Sequence, residues 1–207
     1  MKPATAARFD DVETMLGPIK DPDAPTCWCL ANRVVSKADW ALVGSVRREY
    51  VRSLCSRTIE PGVLAYNDGE VAGWAAVAPR AELTFARSKK FPHVDDLPVW
   101  AVWCIRVRPG YRRKGVSHAL LDGAVAFARS HGAPAIEGYP VDNEGQKVDQ
   151  AAAFVGTRGL FERAGFIKAA DTDSVSGGFR RVLMRLEQPL ALQPAQGSPP
   201  ERARHPP

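Results

Sequence analysis

The stretch Trp100–Arg129, WAVWCIRVRPGYRRKGVSHALLDGAVAFAR, constrains this chain more than any other. Val99–Val107 is apolar and β-prone, interrupted only by Arg106, and reads as a strand. Pro109-Gly110 ends it, because proline cannot donate to a ladder and glycine tolerates turn geometry. Arg112-Arg113-Lys114-Gly115-Val116-Ser117 follows, and then Val116, Leu120, Ala124, Phe127 and Ala128 recur on one helical stripe. Gly115 at the helix start lets a ligand approach the backbone. The first helical N–H groups lack partners, and the helix dipole adds partial positive charge to that of the three cations. The corner is a candidate anion site sized for phosphate or pyrophosphate. The alternative is a basic corner with no ligand.

Two nucleotide motifs do not fit. A Rossmann fingerprint needs three spaced glycines, and a Walker loop needs Gly-Lys followed by Ser or Thr, whereas the order here is Lys-Gly-Val-Ser. What does fit is an apolar strand, Val-x-Pro, x-x-Arg-x-x-Gly-x-small, then helix. Carried by Ile105, Val107, Pro109, Arg112, Gly115 and Ser117, it resembles the acyl-CoA signature of the GNAT superfamily of N-acyltransferases. Family members more often have Gly or Ala where Ser117 stands. The resemblance implies acetyl-CoA as co-substrate and no metal. It assigns the cofactor to Ile105, Arg106, Val107, Arg112, Arg113, Lys114, Gly115, Val116, Ser117 and His118. It also implies an α/β (α+β) fold: a mixed, mostly antiparallel sheet with a splayed parallel strand pair and helices on both faces.

Composition narrows the setting. A chain of 207 residues with 45% hydrophobic and 25% charged residues suits one globular domain, expected over residues 8–187, with residues 1–7 a loose N-terminus and 188–207 a Pro-rich flexible tail. The net charge of +5 is spread over several faces and lacks aromatic-basic interleaving, so a nucleic-acid partner is not expected. Cys27-Trp28-Cys29 is a C-x-C with no second ligand pair, a weak zinc pattern. The start MKPATAARFDD has no apolar core of a signal peptide, and no run reaches the ~18–20 apolar residues of a membrane span. A cytoplasmic protein with free thiols, monomeric or homodimeric, is the expectation.

In chain order, Phe9–Leu16 reads as a short helix, and Cys27–Val35 as either a strand or an irregular segment. Ser36-Lys37-Ala38-Asp39 resembles a capping box for a helix over Ala38–Ser56. Val63–Tyr66 and Val71–Ala78 flank Asn67-Asp68-Gly69, a hairpin turn. Pro79–Phe91 is partly helical, and His93–Pro98 is a polar loop. Ala135–Val141 is a strand with Glu137 and Tyr139 on one face, and Pro140 should end its pairing. A helix over Ala151–Ala164, a strand from Phe166 to Ala169, a loop over Asp171–Gly178 and a last strand over Phe179–Leu186 complete the pattern.

The resemblance implies direct attack by an amine on the thioester, with a backbone N–H near the end of Ile105–Val107 holding the oxyanion. A lysine-like amine must lose a proton first, which costs about 4–5 kcal/mol at pH 7. Many relatives place an acid just before the position of Ile105, where this chain has Trp103 and Cys104. Family members often carry a Tyr at the position of Phe161, assigned to protonate the thiolate, and an Asn at that of Phe154. Glu137 is therefore the first candidate base and Tyr139 the candidate acid, with Asp142, the His93–Asp96 loop and an acyl-carrying Cys104 as lesser ones. With the usual acid and base altered, a small-molecule amine or hydrazide is favoured slightly over a protein lysine. A non-catalytic acyl-CoA sensor is the alternative.

Overall fold

The computed structural model describes residues 1–24, 26–30, 32–33 and 42–187. The expected capping box, residues 38–41, Val34-Val35 and the Pro-rich tail lie outside the described residues, and of the helix expected over Ala38–Ser56 the described part begins only at Gly44, after an extended Val43.

Among the described residues seven strands form one sheet: β1 (Lys2–Pro3), β2 (Gly62–Asn67), β3 (Glu70–Pro79), β4 (Trp100–Val107), β5 (Ala135–Gly138), β6 (Ile167–Ser176) and β7 (Phe179–Glu187). Their order is β1-β2-β3-β4-β5-β7-β6. Among the described strands only β4 and β5 run parallel; every other neighbouring pair is antiparallel. Among the described residues four α-helices accompany them: α1 (Phe9–Leu16), α2 (Gly44–Cys55), α3 (Val116–Ser130) and α4 (Arg158–Arg163).

Period-two alternation sends neighbouring side chains into two cores. Leu64, Trp74, Ala76, Ala78, Tyr139 and Leu183 join α1 and α2 on one face. Val63, Ala75, Val77, Val102, Ile136, Val182 and Met184 join α3 and α4 on the other. Each fully buried Leu or Ile contributes about 1.5–3 kcal/mol, so both faces hold the sheet. This is the mixed, mostly antiparallel, doubly covered sheet the resemblance implies.

The β2–β3 turn carries Asp68 and Gly69 at φ 51° and 83°, the left-handed pair of a tight hairpin. Three expectations need correction, and one open choice, that over Cys27–Val35, falls to the irregular reading at residues 26–30. The N-terminus is tied down: Lys2 and Pro3 pair with Leu64 and Val63, and Ala4 is buried. Residues 26–30 form no strand, and Trp28 and Cys29 sit at φ 49° and 56°, which breaks extension. The helix expected from Ala151 begins only at Arg158, because Gly156 at φ 102° cannot continue helical backbone. The expected Asp171–Gly178 loop is largely strand: β6 runs to Ser176, and Gly177-Gly178 make the turn.

One irregularity shapes the centre. Ala76 pairs with Cys104 but Val77 with Val102, so Trp103 is an extra residue in β4. A bulge bends its strand. It puts Trp103 and Cys104 in the same core, and β5 accompanies β4 only along Trp100–Val102. The parallel pair splays where the bulge falls.

Candidate acyl-transfer site

The anion corner follows β4. Gly110, Arg113 and Gly115 take φ of 90°, 60° and 77°, turning the chain into the 15-residue α3. A side-chain atom added at Gly110 or Gly115 would meet nothing within 4 Å, so space above this backbone is open. Arg112, Arg113 and Lys114 are exposed around it. Val116 and Ser117 offer the first helical N–H groups, which have no partner four residues back. His118 lies in the same turn, and its Nε2 is 2.9 Å from Nε of Arg163, on α4. Arg163 therefore adds a cation that the motif alone does not reveal. The donor set, many N–H groups and no carboxylate among Arg112–His118, suits the diphosphate of a coenzyme A thioester.

The gap between β4 and β5 is bridged by the chain itself. The Ile105 N–H donates to the Phe154 carbonyl at 2.7 Å, and the Val141 N–H donates to the Gly156 carbonyl at 3.2 Å. Ile105 is thus not a free edge donor. By alternation the Ile105 carbonyl and both peptide groups of Val107 point into the same gap, while the backbone of Arg106 faces β3. The Arg106 side chain is exposed.

Beside the gap lies a cleft of about 220 Å³, lined by Asn32, Phe85, Phe91, Trp103, Tyr139, Phe154, Val155, Ser174, Val175, Ser176 and Arg181. Phe85 and Phe91 meet the Tyr139 ring edge-on, each with centroids 4.9 Å away. Arg181, only 5% exposed, donates to the carbonyls of Tyr139 (2.7 Å) and Ala152 (3.1 Å) and lies 4.5 Å over the Phe154 ring. Burial alone pushes its guanidinium down to about 10.

The two candidate catalytic residues come together, but not as acid and base facing this cleft. Glu137 is fully buried; Arg80 reaches it at 3.1 Å, Arg185 at 3.2 Å, and the Tyr139 hydroxyl donates to it at 2.8 Å. It is a clasped counter-ion, and an amine in the cleft has no open path to its oxygens. The Tyr139 hydroxyl commits its proton to Glu137, and burial, then the Glu137 charge, push its pKa strongly upward. Arg80 also holds the Pro92 carbonyl, and Arg185 holds Asp95, so the cluster fixes the loop after β3. The signal for it was Arg181 and Arg185, which share the Leu183 face of a buried strand.

The lesser candidates are likewise engaged. Asp142 pairs with Arg158 at 3.0 Å, and exposed His93 contacts the Ala86 carbonyl. Cys104 Sγ lies 2.8 Å from Cys29 Sγ, and burial, then this neighbour, push the Cys29 thiol well up. Phe161, at the position of the family's Tyr, is fully buried against Phe166 and Gly138. Among the described residues no three His, Cys, Asp or Glu side chains cluster to hold a metal ion.

Residues 33–166 match the model of the Acetyltransferase (GNAT) family. The chain belongs to that family. The acetyltransferase of the GNAT family from Streptococcus pneumoniae is 14% identical, with a TM-score of 0.53 over 90% of this chain and 96% of that one. The histone acetyltransferase HPA2 and related acetyltransferase from Corynebacterium glutamicum is 19% identical, with a TM-score of 0.50 over 92% and 97%. Both share the GNAT fold with this chain. Nourseothricin acetyltransferase is 24% identical, with a TM-score of 0.40 over 61% of this chain, which spans 64% of that protein. No curated protein matches. Among the described residues no helix is long and apolar enough to cross a membrane.

Proposed function

We propose that this GNAT-family chain transfers an acetyl group from acetyl-CoA to the nitrogen of a small-molecule amine or hydrazide. The observation that carries the reading is the Gly110–Ser117 corner, with left-handed glycines, open space and three exposed cations at the start of a 15-residue helix. Arg112, Arg113, Lys114, Arg163 and the N–H groups of Val116 and Ser117 would hold the diphosphate. The Ile105 carbonyl and the peptide groups of Val107, which face the gap beside β4, would hold the arm that follows. Acetyl-CoA supplies the acyl group: a C–N bond to the acceptor replaces its C–S bond, and the proton lost by nitrogen balances the departing thiolate as CoA thiol.

The chain's own part is positioning. The bulge at Trp103 opens the sheet, and the aromatic cleft beside it orients the acceptor and excludes water. No carboxylate or histidine lines that cleft among the described residues. An acceptor already neutral near pH 7 needs no base, which supports an arylamine or hydrazide over a protein lysine.

A thiol-release assay with acetyl-CoA and a panel of arylamines, hydrazides and lysine peptides tests the reading. Release with the first two classes and little with the peptides is expected. Acetyl-CoA binding without release to any amine would instead favour a sensor.

A further inference from the structure

We propose, resting on the acetyl-transfer reading above, that the acceptor is a single-ring aromatic amine bearing a carboxylate, with Arg181 as the carboxylate's counter-ion.

Arg181 is 5% exposed, lines the cleft, and has no carboxylate within ion-pair distance among the described residues. Its neighbour on the same strand face, Arg185, meets Glu137, Asp95 and Glu187. Buried charge is costly unless paired. The two carbonyls that hold Arg181 fix its direction but leave its charge uncompensated. Coulombic attraction for an anion is strong in such a place, because little water screens it. A lysine ammonium would be repelled by the same charge, which disfavours a protein tail as occupant.

The other walls select a flat apolar body. Phe85, Phe91, Trp103 and Phe154 contribute ring surface, and an acceptor ring can meet them edge-on or stacked. A cavity of about 150 Å³ accepts a benzene ring, so about 220 Å³ suits one ring with short polar substituents. The Asn32 amide and the Ser174 hydroxyl also line the space and have no side-chain partner among the described residues. They can orient the polar ends. With the carboxylate at Arg181, the amine points toward Trp103, where β4 and β5 part.

Four probes test this: 3-aminobenzoate, its neutral isostere 3-aminobenzamide, and the non-acceptors benzoate and benzamide. The intact protein should acetylate 3-aminobenzoate with kcat/KM higher than for the amide on the order of tenfold or more. Benzoate, but not benzamide, should compete with it. Arg181→Met should erase the preference while leaving acetyl-CoA affinity unchanged. Arg181→Lys should restore part of it. If Arg181→Met does not fold, the carboxylate–amide comparison on the intact protein decides alone. Equal rates for the two amines and equal competition by benzoate and benzamide would overturn the inference while leaving acetyl transfer standing. Benzoate binding that needs Arg181, with no transfer to any amine, would sustain the anion pocket and contradict the transferase reading.

Discussion

The Phe154 carbonyl accepts the Ile105 N–H at 2.7 Å, so the opening between β4 and β5 is spanned by the chain's own residues. This donor is one an acyl-CoA arm would otherwise use. Addition of acetyl-CoA should therefore move the amide resonances of Ile105, Phe154 and Val155 together, and change the hydrogen-exchange protection of Ile105. Shifts confined to Arg112–His118 would show that the arm leaves this bond intact.

Glu137 is a structural counter-ion, and its loss should be read first in stability. Removing one partner of a buried pair costs about 3–5 kcal/mol. Arg185 keeps Asp95 and Glu187, so Glu137→Gln should cost about 2–3 kcal/mol in urea unfolding. An unchanged midpoint with activity lost would return Glu137 to the role of base.

Tyr139 should leave the pH–rate profile alone. Its folded-state pKa is raised by burial and by Glu137. Its contribution to stability is therefore fully present below the ordinary phenol value of about 10 and is lost only as pH climbs beyond it. Between pH 6 and 9, Tyr139→Phe should lower stability by about 1 kcal/mol, the worth of its hydrogen bond, without moving either limb of the profile. A displaced alkaline limb would identify it as the acid.

The strand–turn–helix corner was legible because its residues are contiguous: Pro109-Gly110, Arg112 and Gly115 fix turn, charge and helix start within one short segment. The helices and strands with clean periodicity, α1, β2, β3 and α3, were legible for the same reason. The aromatic cleft was not. Its walls come from residues 85, 91, 103, 139, 154 and 181, brought together only by sheet order and by the extra residue at Trp103. Glu137 and Tyr139 were placed correctly on one strand face. The buried ion pairs around Glu137 were not legible, because Arg80 and Arg185, distant in sequence, meet it only in the fold. The helix expected from Ala151 failed on a single dihedral, that of Gly156.

Phe161 should prove a packing residue for Gly138. A Cβ at Gly138 would sit 2.2 Å from the Phe161 ring. Gly138→Ala should destabilise by about 1–3 kcal/mol, and Phe161→Leu should recover part of that loss in the double variant. Additive losses in thermal unfolding would show that the two do not meet.

The central claim is that the Gly110–Ser117 corner binds the diphosphate of acetyl-CoA, and calorimetric titration of the intact protein tests it most directly. Micromolar binding is expected. Arg112→Glu places negative charge in the corner, and Gly115→Asp adds both charge and a side chain at φ 77°. Each should weaken affinity by about tenfold or more while the protein remains folded by circular dichroism. No heat of binding with the intact protein, or equal affinity in both variants, would contradict the account.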